Sequence, residues 1–205
     1  MSTIMVPRPS LSKGGSFPDQ PLLEAPGSTM PPRKQATPDI LAPRLEALFV
    51  GINPGLLSAR VGHNFANPAN GFWRLMHESG LVPRRLAPTE EMELLRHGLG
   101  LTNLVARETR GVMDLSRDDF EAGKKELSAK IRQWRPGAVV FVGVTVYRAF
   151  AGKKPSAVIA CGEQPERIEG ARVFVVPNPS GRNAHFSYAQ MLEHFRTVAR
   201  ALGRA

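Results

Sequence analysis

Short apolar stretches at residues 45–52, 138–142 and 172–176 alternate along the chain with segments whose apolar residues recur every three or four positions. A strand that is apolar on both sides must be covered on both sides, and such strands belong to parallel sheets flanked by helices. The expected fold class is therefore α/β, a three-layer α/β/α arrangement around a central, mostly parallel sheet. In such sheets binding sites form beyond the carboxyl ends of the strands. Two segments fall there: the loop after Ile52 and the loop after Val176.

Punctuation residues bound the other elements. Residues 56–69 are rich in Gly, Asn and Pro and read as a loop. Asn70 is placed to cap a helix carrying Phe72, Trp73 and Met76. A second helix is expected over 89–96, with Glu90 and Glu91 in its first turn and Gly98 beyond its end. Residues 101–105 read as extended. Ser116 and Asp119 form a capping box, and Phe120, Leu127, Ile131 and Trp134 make a core stripe that ends at Pro136. A short helix over 144–150, strands over 157–160 and 172–176, and a last helix opened by Ser187 and Gln190 complete the reading. That last helix carries Met191, Phe195, Val198 and Leu202 as its buried stripe.

Nine of the 18 prolines lie in residues 1–44, mixed with Ser, Gly, Lys and Arg. Such a stretch cannot bury enough apolar surface to offset its ordering entropy. Residues 1–40 are expected to be a flexible basic tail and 41–205 a single domain. The 27 Lys and Arg against 18 Asp and Glu leave a formal charge of +9. A field of that sign attracts polyanions, nucleic acid first, and disfavours acidic partners. One cysteine, Cys161, excludes an internal disulfide framework and a cysteine-cluster zinc site. No apolar run approaches the roughly 20 residues needed to cross a bilayer, and MSTIMVPRPS lacks the layout of a secretion signal. A cytoplasmic protein, nucleoid-associated if bacterial, is expected, with no membrane partner.

The first strand ends in Gly51-Ile52-Asn53-Pro54-Gly55. Pro54 restrains Asn53 to an extended conformation and Gly55 permits a tight turn. A stiffly held carboxamide at the mouth of a sheet can orient a water or read an amide-like base edge; an Asx-type turn that merely stops the strand is the alternative. No Asp or Glu occurs in residues 51–65, so this strand end supplies no carboxylate base. Neither GxxxxGK[ST] nor GxGxxG is present, and no HExxH or carboxylate cluster suggests a metal, so no cofactor is expected.

The longer context is more specific. Residues 51–80, GINPGLLSARVGHNFANPANGFWRLMHESG, resemble the first signature of the mismatch-specific uracil- and thymine-DNA glycosylases. Residues 100–109, GLTNLVARET, resemble the family's middle segment, and residues 178–186, NPSGRNAHF, its DNA-inserting loop. The resemblance runs in order over residues 45–203. It implies a uracil-DNA glycosylase-like fold in which Asn53 holds the attacking water. Gly51 and Ile52 would present backbone groups to the base, Phe65 would stack on it, Ser58 would lie near the pyrimidine 5-position, and Asn103 would contact the bound base. Arg182 would fill the space left by the flipped nucleotide. Asn178, Pro179, Ser180, Gly181, Asn183 and Ala184 would form the loop against the DNA, with Gly181, Asn183 and Ala184 facing the opposing guanine or adjoining backbone.

The implied activity is hydrolysis of the N-glycosidic bond of uracil opposite guanine in double-stranded DNA, leaving an abasic site for downstream repair enzymes. Thymine or modified pyrimidines are further candidates in G·T and related mismatches. The alternatives are a non-catalytic mismatch-binding module of the same fold and a glycosylase preferring single strands. A monomer is expected. Three departures bear on the pocket: Ala106 stands where relatives often carry an acidic residue, Ser58 where thymine-processing relatives have a smaller one, and Asn64 where His or Pro is usual. A hydroxyl at Ser58 would crowd the thymine methyl, favouring uracil.

Overall fold

The computed structural model describes residues 37–181 and 183–204. The reading of residues 1–36 as a tail, and the wedge role of Arg182, lie outside the described residues. Thr37 and Ile40 are buried, and Ile40 bridges Leu101 in antiparallel fashion. Residues 37–40 thus belong to the folded domain, although their proline-rich surroundings had placed them in the tail.

The sheet has five strands: β1 (Ala47–Gly51), β2 (Leu99–Asn103), β3 (Ala138–Val142), β4 (Gly162–Ile168) and β5 (Ala171–Val176). Their spatial order is β2-β1-β3-β5-β4. All neighbours are parallel except β4, which runs antiparallel to β5. The helices are α1 (Leu56–Val61), α2 (Phe72–Glu78), α3 (Arg117–Trp134), α4 (Val144–Ala151) and α5 (Tyr188–Ala201), with a 3₁₀ helix over Pro88–His97.

Successive strand side chains point to opposite faces, and two separate cores result. Phe49, Val140 and Phe174 pack with Phe72, Leu75 and Met76 of α2 and with Phe195 and Val198 of α5. Leu48, Val139 and Val173 pack with Leu127 and Ile131 of α3 and with Val146 and Tyr147 of α4. The three-layer expectation holds. Ser116 and Asp119 open α3, and Ser187 and Gln190 open α5, each pair exchanging capping-box bonds.

Two local readings fail. Residues 56–69 are not all loop, because α1 occupies Leu56–Val61 before Gly62 ends it at φ 76°. The strand expected over 157–160 is absent, and the edge strand is β4, Gly162–Ile168. Its side chains alternate between half-buried and exposed. One wetted face and Pro165 at the sheet edge remove the apolar signal that marks the inner strands. Among the described residues, no helix is long and apolar enough to cross a membrane.

Candidate active site

A cavity of about 620 Å³ opens beyond the carboxyl end of β1, within the usual range for a small-molecule site. Its walls bring together Gly51, Ile52, Asn53, Ser58 and Phe65 from the first signature, Asn103 from the middle segment, and Asn178, Ser180 and Gly181 from the second. Pro179 and Asn183 border neighbouring depressions. Ala184 is exposed and lines none of these hollows. The sequence reading missed Asn67, Asn70 and Arg110 as lining residues; Arg110 is the only charged one among the described residues.

Asn53 is fixed from behind. Its Nδ2 donates to the Arg107 carbonyl at 3.0 Å, to Thr109 Oγ1 at 2.8 Å and, less closely, to the Pro54 carbonyl at 3.2 Å. Carbonyls only accept, so the nitrogen end is identified and Oδ1 is left as an acceptor. Thr109 gives its own proton to the Gly111 carbonyl at 2.8 Å, which makes its oxygen the acceptor for Asn53. A parallel bridge between Gly55 and Thr109 keeps that segment alongside. Farther back, Asp119 receives two bonds from the Arg107 guanidinium, at 2.7 and 3.3 Å. That contact, aided by Ser116, holds the Asp119 carboxyl far below the usual carboxylate range.

Asn103, at the end of the neighbouring strand β2 beside Gly51, is tethered in the same way. Its Nδ2 donates to Asn64 Oδ1 at 2.9 Å and to Thr37 Oγ1 at 3.4 Å. Its Oδ1 lies against Gly51, where any Cβ would come within 2.5 Å of it. Behind Asn64 sits Glu91, 2% exposed. Sequence patterning gave Glu91 only a helix-dipole role. A 3₁₀ helix instead stacks residues three apart on one face, so Glu91 turns inward with Leu94. Its other oxygen lies 2.9 Å from His63 Nδ1, which gives His63 a partner inside the loop.

Phe65 closes a third side. Its ring stacks on Phe72 with centroids 4.1 Å apart and planes 13° from parallel. Its backbone adopts φ 51°, a left-handed conformation that costs a bulky residue about 1–3 kcal/mol. Ser58 is buried, and its Oγ accepts the Ala66 N–H at 3.1 Å, tethering the turn that presents Phe65. The carbonyls of Gly51 and Ile52 accept the N–H groups of Leu104 and Val105 at 2.8 Å, so the β1–β2 ladder continues under the cavity.

The loop after β5 folds on its own polar groups. Asn178 Oδ1 accepts the Ser180 N–H at 3.1 Å, Asn183 Nδ2 donates to the Asn178 carbonyl at 2.8 Å, and Asn183 Oδ1 accepts the His185 N–H at 2.9 Å. Gly181 abuts Ala69 so closely that a Cβ would lie 2.8 Å from the Ala69 carbonyl. Beside this loop Glu78 accepts from Arg74 at 2.7 Å and from the Tyr188 hydroxyl at 2.9 Å. Burial, reinforced by that hydrogen bond, pushes Tyr188 up to about 12. Among the described residues, no cluster of His, Cys, Asp and Glu could hold a metal ion.

A cavity walled by several amides and an aromatic ring, with a glycine-bearing loop at its lip, suits a flat, polar, hydrogen-bonding ring. A family model described as the uracil DNA glycosylase superfamily matches residues 38–203. The chain belongs to that superfamily. Membership implies glycosylase activity, the hydrolysis of a bond between a base and its sugar in DNA. The fold is similar to the solution NMR structure of a Methanosarcina acetivorans protein provisionally named a uracil DNA glycosylase, with TM-score 0.56 and 21% identity over 82% of this chain and 96% of that one.

Proposed function

We propose that this superfamily member is a monofunctional, mismatch-directed glycosylase that removes uracil lying opposite guanine in double-stranded DNA. The observation that carries the reading is the pair of carboxamides, Asn53 and Asn103, each tethered by its nitrogen and both lining one cavity. A base in a duplex hides its glycosidic bond, so the nucleotide must rotate out, which costs least at a mismatch. The extruded uracil would lie along the Phe65 ring and give its N3–H to Asn103 Oδ1. Asn53 Oδ1 would accept a hydrogen bond from a water aimed at C1′. As the C1′–N1 bond breaks, its electron pair leaves with uracil, the sugar gains oxocarbenium character, and the water oxygen bonds to C1′. The surplus water proton passes to solvent, because an amide cannot hold it.

Among the described residues Arg110 is the one lining cation, and its charge would favour both the DNA phosphates and the departing uracil anion. Among the described residues no carboxylate lines the cavity, so chemistry is expected to be slow and to depend on a good leaving group. No described lysine lines it either, which fits an abasic product without a strand cut. The loop over residues 178–186, with Arg182 as wedge, would hold the duplex open. A cytoplasmic, monomeric enzyme handing abasic sites to repair partners completes the proposal.

The test uses labelled duplexes with U opposite G, U opposite A and T opposite G, and U in a single strand, followed by alkali cleavage of abasic sites. Product from U opposite G ahead of the others supports the reading. Equal or better product from the single strand, or none from any substrate, refutes it.

A further inference from the structure

We infer that Glu91 and Asn64 are positioning residues that fix the hydrogen-bonding polarity of Asn103, so that the cavity selects a base with an imide N–H over one with a ring-nitrogen lone pair. The inference rests on the proposed reading that Asn103 faces the base, and it adds the device that sets its specificity.

The chain of bonds leaves one solution. Glu91 Oε2 accepts the Asn64 main-chain N–H at 2.9 Å and the Asn64 side chain at 3.0 Å. The Pro38 carbonyl accepts that same amide at 2.9 Å. A carboxylate and a carbonyl can only accept, so the atom facing them must be Nδ2 and the other must be Oδ1. Asn64 Oδ1 then takes protons from Thr37 Oγ1 at 2.9 Å and from Asn103 at 2.9 Å, so the Asn103 atom there is its nitrogen. What remains for the cavity is Asn103 Oδ1, an acceptor beside Gly51. Acceptor-only groups at the buried end thus dictate, through two amides, what the open end presents.

Flipping Asn103 would set its nitrogen aside and bring two amide oxygens together in the wall. Buried groups left without partners are costly, so Asn103 is held as an acceptor before any base arrives. Uracil carries a proton on N3 and satisfies that acceptor. Cytosine carries a lone pair there and meets the amide oxygen with like polarity. The same relay gives a role to a buried acid near a cavity with no carboxylate among its described lining residues: Glu91 orients, and it does not touch the base.

Binding of free uracil and free cytosine to the full chain, followed by NMR chemical-shift titration, tests this without requiring turnover. The wild-type protein is expected to favour uracil by about tenfold or more, since a site built for one hydrogen bond rejects a ligand that cannot complete it. Glu91→Gln retains an accepting oxygen for Asn64 and should keep the ratio. Glu91→Leu and Asn64→Ala free the Asn103 amide and should bring the ratio near unity. Asn64→Ala keeps the main-chain bond to Glu91 and the His63 contact, so it serves if Glu91→Leu does not fold; a thermal melt reports folding. A purely structural role would weaken both bases together and leave the ratio unchanged. An unchanged ratio in the folded variants, a lost ratio in Glu91→Gln, or a wild-type protein with no preference overturns the inference. Wild-type base preference without excision from any duplex would refute the proposed activity and leave the relay standing.

Discussion

Gly71 donates its main-chain N–H to the carbonyl of Pro179 at 2.8 Å, joining the start of α2 to the loop that follows β5. The cavity wall and the proposed DNA-inserting loop are therefore one mechanical unit, although more than a hundred residues separate them. Gly181 against Ala69 is a second close contact across the same seam. An extruded nucleotide would be met from both sides by surfaces already in register, which is the pre-organisation that lowers binding cost.

The anchoring of Asn53 gives the most direct prediction. Asn53→Ala should lower the single-turnover rate of uracil excision by about 100- to 1,000-fold, with the Kd for a U·G duplex changed less than about threefold. Thr109→Val removes the 2.8 Å acceptor for the Asn53 amide and should cost about tenfold in rate without weakening binding. Thr109→Ser should restore it. Normal turnover by Asn53→Ala would remove Asn53 from the mechanism.

Gly51 is where backbone and base would approach most closely. A methyl there would lie 2.5 Å from Asn103 Oδ1 and 3.3 Å from Phe65 Cζ. Gly51→Ala should abolish most excision by displacing the base-facing amide and the stacking ring together. The variant should still fold, because both displaced groups border open space. Crystallography or a melt, paired with the rate, checks both halves.

Ser58 has two duties that one substitution separates. Its hydroxyl tethers Ala66 and lies on the cavity wall. If Ser58 lies near the pyrimidine 5-position as proposed, Ser58→Ala would free room there and should raise the T·G to U·G rate ratio. It also leaves the Ala66 N–H without its partner, so stability should fall by about 1–3 kcal/mol. Chemical denaturation and the two rates measured on one preparation test the pair.

Asp119 supplies a pH-dependent prediction with a defined sign. The Arg107 contact depresses its folded-state pKa, so its contribution to stability is fully present above the unfolded value, about pH 4. That contribution is lost as pH falls through the lower folded value. Asp119→Asn should be less stable than wild type at neutral pH, and the gap should narrow on acidification below about pH 4. Because the Arg107 carbonyl also holds Asn53, the variant should lose excision rate at pH 7 while still folded.

The apolar patterning made the inner strands and long helices readable because burial on both faces writes continuous runs and full-turn periods into a sequence. Capping boxes at Ser116 and Ser187 were readable because the bonds are local. The edge strand Gly162–Ile168 was not, since half its side chains face water. The short motifs pointed to the segments that line the cavity, including the amides at Asn53 and Asn103. The roles of Glu91 and Thr109 behind the amides were not legible because their partners His63 and Asn53 lie 28 and 56 residues away in sequence. Only folding reveals which carboxylate or hydroxyl ends up behind a given amide.

Thr37 and Pro38 contribute a hydroxyl and a carbonyl to the amide relay behind Asn103. The first described residues of the domain are thereby part of the wall that would read the base. A protease cutting after residue 36 and one cutting after residue 40 would make products of nearly equal mass and very different competence. The longer product keeps every contact of the relay, whereas the shorter one loses Thr37, Pro38 and the Ile40 bridge to Leu101. If the relay sets base preference, trimming this chain past residue 36 would alter substrate choice.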